Sequence, residues 1–320
     1  MGAKPKKGKL TEESQKGSTL WSAIKTKYFI SAIVPSDPGI AARVESELVD
    51  KRPVYNTEIT QSTSSSNSFT LYLGPLDYDN LKAFDVDLES NVDLGWALFR
   101  PIGQLISWML TKMYAIIPNY GVVVILFAFL IKLLLNPLTV KTFESTRKMQ
   151  ALAPEINKIK ERYKNDPQKM SRAQMELYKS SGANPMGGCL PMLIQMPILV
   201  SVFSIFRSKI EFRGAPFFGW IDDLSVPDTL TELGGFPINI LPVLMGSTMF
   251  IQQKMMAAPN ADANQKTMMY VMNAFFLFLF YSFPSGLNLY YFVFNLLSII
   301  QQKYMIPNPV EAGSVVPLKK

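Results

Sequence analysis

The segment VVVILFAFLIKLLLNPLT carries a single charge, Lys132. An apolar stretch of about 18 or more residues is long enough to cross a bilayer and too apolar for most soluble cores. Four further stretches repeat the theme, so candidate spans fall at Tyr120–Thr139, Cys189–Phe206, Phe236–Met256, Met268–Phe283 and Leu287–Met305. The fourth is slightly short, and Pro284-Ser285-Gly286 makes the last two a tight hairpin. Pro191, Pro197 and Pro242 are tolerable because a helix bundle can satisfy the freed backbone groups. The expected fold is a mainly α-helical polytopic membrane protein with a five-helix core.

Residues 1–94 differ: they are polar and turn-rich. Tyr28–Val34, Thr57–Gln61 and Phe69–Leu73 have the β-branched and aromatic content of strands, and Ser62–Ser68 reads as a loop. This predicts a partial, β-rich extracytoplasmic domain. Asp77-Tyr78-Asp79 follows Gly74-Pro75, which fits a helix cap or turn better than a metal pair. GAKPKKGKL resembles a phosphate loop, but five residues separate Gly2 from Gly8 and Leu10 follows Lys9 where Ser or Thr is required. No apolar stretch of signal-peptide length precedes the domain. The sequence therefore reads as a fragment lacking an upstream anchor helix.

Histidine is absent and Cys189 is the single cysteine among 320 residues. That removes the commonest general base and metal ligand and excludes an intramolecular disulfide. No metal, cofactor or covalent catalysis is expected, so the chain reads as a non-enzyme. The net charge of +7 could suit nucleic acid, but the basic residues gather between spans. Membrane orientation by the positive-inside rule accounts for that better.

Residues 95–118 place Leu98, Ile102, Leu105, Ile106, Met109 and Met113 at helical spacing, with Trp96 and Trp108 among them. This suits an amphipathic helix lying in the membrane interface. Residues 119–306 form the membrane core. Lys141–Lys179 carries ten basic residues and belongs on the cytoplasmic side; the loop holding Asp222, Asp223, Asp228 and Glu232 then falls outside. The N-terminal domain is thus periplasmic, and the tail, 307–320, cytoplasmic. Within 141–183, two apolar stripes flank Asn165-Asp166-Pro167, where Asp166 can cap and Pro167 can open a helix. This is a helical hairpin, either a self-packed linker or a moving lid or docking arm.

Lys132 lies about 18 Å into its span at 1.5 Å per residue. A lysine there costs about 2.5–3.5 kcal/mol on insertion scales, so it faces a cavity or partner, or snorkels towards the interface. No acidic residue lies within any span, whereas amides recur: Gln195, Gln252, Gln253, Asn273, Asn288, Asn295, Gln301 and Gln302. An unpaired cation amid amides suggests a hydrated, positive pocket. Each amide alone also fits an ordinary interhelical hydrogen bond. The many methionines fit packing or a surface accepting varied apolar partners.

Residues 95–305 resemble the YidC family of membrane insertases and its mitochondrial and chloroplast relatives. The carrying stretches are FLIKLLLNPLTVKTFESTRKMQALAPEINKIKERY, NPMGGCLPMLIQMPI, RGAPFFGWIDDLS, LPVLMGSTMFIQQKM and FPSGLNLYYFVFNLLSIIQQ. Upstream, TKYFISAIVP and LYLGPLDYDNLKAF look like the end of the family's periplasmic β-sandwich. The resemblance implies a groove open to cytoplasm and lipid, with Lys132 as its cation; among the amides noted above, Gln195, Asn273, Asn288 and Asn295 are the expected polar lining. It implies a slide for nascent helices on the spans from Cys189 and Met268, including Met196, Pro197 and Met272. Tyr290 and Tyr291 would be groove aromatics on the last span.

These features predict a bacterial inner-membrane insertase and chaperone. Its groove would receive the hydrophilic tail of a nascent membrane protein and release the apolar helix into lipid without nucleotide hydrolysis. Expected partners are nascent membrane proteins, lipid, the Sec translocon and, through the hairpin, the ribosome. An anion transporter or a lipid scramblase could use the same groove. Transporters usually show internal repeats, and none is evident here.

Overall fold

The computed structural model describes residues 11–50, 52–62, 67–94, 97–183, 190–256 and 263–305; the side chains of 97, 190–194, 263–265 and 305 are not described. Chain contacts divide it into two units, Met1–Asp93 with Ser208–Ile210, and Leu94–Arg207 with Glu211–Lys320.

The first unit contains β1 (Thr11–Thr19), β2 (Ser22–Lys25), β3 (Phe29–Pro35), β4 (Gly39–Val49), β5 (Arg52–Thr60) and β6 (Phe69–Pro75). They form two antiparallel sheets ordered β1-β4-β5 and β2-β3-β6. The two sheets meet where the Ser22 hydroxyl bonds that of Thr57. Alternation along β3 buries Ile30, Ala32 and Val34, and Leu81 of α1 (Tyr78–Lys82) and Leu88 are also fully covered. Asp77 caps α1 by accepting from the Asn80 N–H at 3.0 Å, in line with the cap reading. The strands β1, β2 and β4 were not foreseen. β1 is nearly all polar and exposed, so its place rests on backbone pairing and on Arg43, which bridges Glu12 (2.9 Å) and Glu45 (2.5 Å).

The second unit contains α2 (Arg100–Ile116), α3 (Tyr120–Leu134), α4 (Asn136–Ala151), α5 (Ala153–Arg162), α6 (Pro167–Ser180) and α7 (Leu190–Ser208). The hairpin β7 (Thr229–Leu233) and β8 (Phe236–Asn239) follows, then α8 (Ile240–Met256), α9 (Ala263–Tyr281) and α10 (Ser285–Ile300). Helix α10 is central, packing on α3 and α8, while α8 also packs on α9. Every residue from Ser285 to Tyr291 is buried, as expected of a helix enclosed by neighbours.

Several expected boundaries need correction. The first span does not run straight to Thr139: α3 ends at Leu134 and meets α4 at a 64° bend. The Asn136-Pro137 pair explains the break, because proline disfavours helical backbone at the residue before it and takes the first turn of the next helix. The third begins at Ile240, since Phe236–Asn239 pairs as a strand. The fourth is longer at its start and α10 ends in a π-helical turn, Gln301–Met305. Cys189 lies outside the described residues. Among the described residues no single helix is long and apolar enough to cross a membrane, although the bent α3–α4 pair is. Asp166 caps α6 through the Lys169 N–H at 3.0 Å, and α6 buries none of its side chains.

Candidate functional site

Lys132 belongs to the last turn of α3, beside the bend, rather than to the middle of a longer helix. It is 7% exposed. Its Nζ donates to Ser298 Oγ at 2.8 Å, and that hydroxyl donates in turn to the Phe294 carbonyl at 2.8 Å. The ammonium also lies 5.1 Å from the Phe294 ring centre and 5.8 Å from that of Phe143 on α4. Three effects therefore offset burial of the charge. A hydrogen bond to a charged group contributes about 1.5–3 kcal/mol, and each ring face adds roughly 0.5–2 kcal/mol. The partial negative charge at the C-terminal end of α3 acts in the same sense. Among the described residues no carboxylate forms an ion pair with it.

Neighbouring contacts set its height. Phe127 of α3 meets Tyr290 of α10 at 5.6 Å between ring centres, and Gln301 bonds Asn136. Both numbers rise together, so α3 and α10 run parallel and Lys132 reaches sideways between these two contacts. Beyond it, α4 is strapped to the ends of α8 and α10. Arg147 donates to the Gln302 carbonyl at 3.0 Å, and Gln150 and Gln302 donate to the Met255 carbonyl at 3.1 and 3.3 Å.

A second polar group lies nearer the start of α10, where the buried hydroxyls of Tyr290 and Tyr291 and the side-chain nitrogen of Gln195 on α7 make no hydrogen bond among the described residues. Phe294 links the two groups, its ring 5.9 Å from that of Tyr290. Asn295 is buried on α10 between them. The other two amides lie apart. Asn288 donates to the Phe280 and Phe283 carbonyls at 3.1 and 3.3 Å, closing the α9–α10 turn, and Asn273 reaches the Gly246 carbonyl at 3.4 Å. Met196 on α7 and Met272 on α9 are exposed, and Pro197 lies inside α7. Serine 298 was missed, although Asn295, Ser298 and Gln301 at three-residue spacing draw a polar stripe on an apolar helix. Nothing local to Phe143 marks it, because its role follows from the bend.

The opposite end of α10 is about 20 Å away by helix rise. There the backbone N–H groups of Ser285 and Gly286 donate to the carbonyls of Val226 (2.7 Å) and Leu224 (3.0 Å). Asp228 Oδ2 accepts from Trp220 Nε1 (3.0 Å) and from the N–H groups of Ile240 (3.0 Å) and Leu241 (2.7 Å), capping α8. A side-chain carbon at Gly121 would meet Phe217 at 2.0 Å, and one at Gly286 would meet Phe206 at 2.5 Å. This end is closed by close packing. Among the described residues no three His, Cys, Asp or Glu side chains gather as metal ligands would.

Residues 112–311 match the family model described as 60Kd inner membrane protein, and residues 2–109 match that of the YidC periplasmic domain. The chain is 40% identical over 319 residues to a membrane protein insertase YidC of Chlorobium phaeovibrioides, covering 94% of this chain and 54% of the relative. It is likewise 40% identical over 314 residues to one of Chlorobaculum tepidum, covering 93% and 53%. The chain thus spans about half the length of these relatives. A crystal structure of an active YidC insertase with its first transmembrane domain resolved superposes with a TM-score of 0.53 at 20% identity, covering 92% of this chain and 80% of that one. That likeness concerns the fold.

Proposed function

The chain belongs to the YidC family of 60Kd inner membrane proteins, and from that premise we propose that it inserts nascent membrane proteins into the bacterial inner membrane. The observation carrying this reading is a sheltered cation, Lys132, bonded to Ser298 of α10 in a unit whose apolar helices leave large side chains exposed. In this reading α3 with the start of α4, α7, α8, α9 and α10 are five membrane spans. The β-rich unit and the Asp228 end are periplasmic, and the α5–α6 hairpin and C-terminus are cytoplasmic. The four unbroken spans have 16 to 19 residues, or roughly 24–28 Å. Spans shorter than the ~30 Å hydrocarbon core thin the bilayer around them. Thinning shortens the path for a polar segment.

The hydrophilic tail of a client enters from the cytoplasmic side, where the seam between α3, α4 and α10 supplies hydrogen-bonding groups. Lys132 attracts its acidic residues, exchanging Ser298 and the covering ring of Phe143 for a carboxylate. The apolar part of the client lies against Met196 and Met272 and leaves sideways into lipid. About 20 apolar residues at −0.3 to −0.6 kcal/mol each release roughly 6–12 kcal/mol, so the client supplies the driving force and the protein lowers the barrier. No nucleotide or covalent step is required. The basic, amphipathic α5–α6 hairpin serves as the arm for ribosome or translocon contact.

Reconstitution into vesicles tests this reading. The purified chain should insert a short-tailed, single-span client with an acidic tail, and Lys132→Leu should impair that insertion while sparing a client with a neutral tail. Solute flux or lipid transfer without insertion would instead identify a transporter or a scramblase.

A further inference from the structure

The β7–β8 hairpin carries apolar side chains at its tip that stay largely exposed. Gly234 and Gly235 form its turn with φ of 59° and 81°, both in the left-handed region that a two-residue hairpin turn demands. Either side of them the paired Leu233 and Phe236 are 72% and 62% exposed. Residues directly opposite each other in a hairpin share a face, and successive residues alternate. The charged neighbour Glu232, paired with Pro237, therefore points to the other face.

The tip is held in a fixed place at the end of α9. Tyr281 donates to the Pro237 carbonyl at 2.6 Å, Asn239 donates to the Tyr281 carbonyl at 2.8 Å, and the Phe236 and Tyr281 rings stack at 5.7 Å. Helix α9 itself presents Val271, Phe275 and Phe278 at four- and three-residue spacing, all exposed, with Phe278 at 81%. The bare apolar stripe of α9 thus continues past its last residue, through the Tyr281–Phe236 stack, onto the hairpin tip. We infer that the hairpin is a lipid-facing wedge, seating Leu233 and Phe236 in the interfacial region of the leaflet at this end. It rests on the reading of α9 as a membrane helix. Its partner is the bilayer because the tip prolongs a surface that, in that reading, lipid already covers. The Glu232 carboxylate, turned the other way, suits water. Seated so, it fixes the depth of α8, which starts at the residue after β8.

Nitroxide labels placed one at a time on the full chain in a Cys189→Ser background, reconstituted in phosphatidylethanolamine–phosphatidylglycerol vesicles, test the wedge. Leu233→Cys and Phe236→Cys report the tip, Phe278→Cys reports α9, and Asp222→Cys serves as a water-exposed reference. Collision with oxygen should exceed collision with a water-soluble nickel chelate at both tip sites, with ratios resembling Phe278→Cys. Tip ratios resembling Asp222→Cys beside a lipid-like Phe278→Cys would overturn the wedge and leave the membrane reading intact. A water-like Phe278→Cys would overturn both. Protection of the tip from both reagents would mean that protein covers it, which also defeats the wedge.

Discussion

The two ends of α10 are built on different principles. At the Asp228 end, backbone groups of the 215–228 loop bond the first turn of α10, one carboxylate oxygen collects three N–H groups, and glycines let aromatic rings touch helix backbone. At the Lys132 end, single long side chains bridge α3 and α4 to α8 and α10, next to a helix bend. Backbone bonds and close contact leave little to rearrange without unfolding. Flexible side chains can exchange one partner for another at small cost. The first end is suited to a seal and the second to an entrance, and each can be attacked separately.

The sharpest way to break the contrast is Asp228→Ala, which strips three donors of their acceptor. Losing a carboxylate that satisfies buried N–H groups should cost roughly 3–5 kcal/mol, read as a lowered thermal midpoint in detergent micelles. A loss no larger than that of a seam variant would remove the distinction between the ends. Lys132→Leu should behave oppositely. Replacing a buried charge with an apolar group is often neutral for stability, so the midpoint should move little. Insertion of an acidic-tailed client should nevertheless fall about tenfold, matching one lost interaction of ~1.4 kcal/mol. Equal insertion rates would remove Lys132 from the mechanism.

A smaller effect is expected at Ser298. Removing its hydroxyl with Ser298→Ala costs about 1 kcal/mol. It should slow acidic-tailed clients severalfold while leaving neutral-tailed ones alone, and Ser298→Thr should restore the rate. The smallest effect concerns the α5–α6 hairpin, whose α6 buries no side chain. The Lys169 backbone N–H and then its side chain hold the Asp166 carboxyl below its ordinary range. A depressed folded value means the cap stabilises α6 above the unfolded value of about 3.9 and is lost as pH falls below it. Protection of the α6 amides, taken relative to their intrinsic exchange rate at each pH, should fall on acidification in the native chain and stay flat in Asp166→Asn.

Legibility followed the range of the forces involved. The Pro284 turn between α9 and α10, the Asp77 and Asp166 caps and three strands were readable because each depends on residues within a few positions. β1 and β4 were not, since their partners lie far along the chain and their side chains alternate weakly. In the candidate site, Lys132 and Asn295 stood out as polar residues on apolar helices. Asn288 and Asn273 looked equivalent by that criterion, yet each satisfies a nearby backbone carbonyl well away from the cation.

The sequence by itself determined that this chain has long apolar stretches, a polar β-rich start and a lysine within an apolar stretch that holds no acidic residue, because hydropathy and charge are properties of residues in order. Only the tertiary structure decided how Lys132 is held. The bend after Leu134 brings Phe143 over the ammonium, and the parallel register of α10 brings Ser298 beneath it. Both are contacts across separate helices, and no local periodicity encodes them.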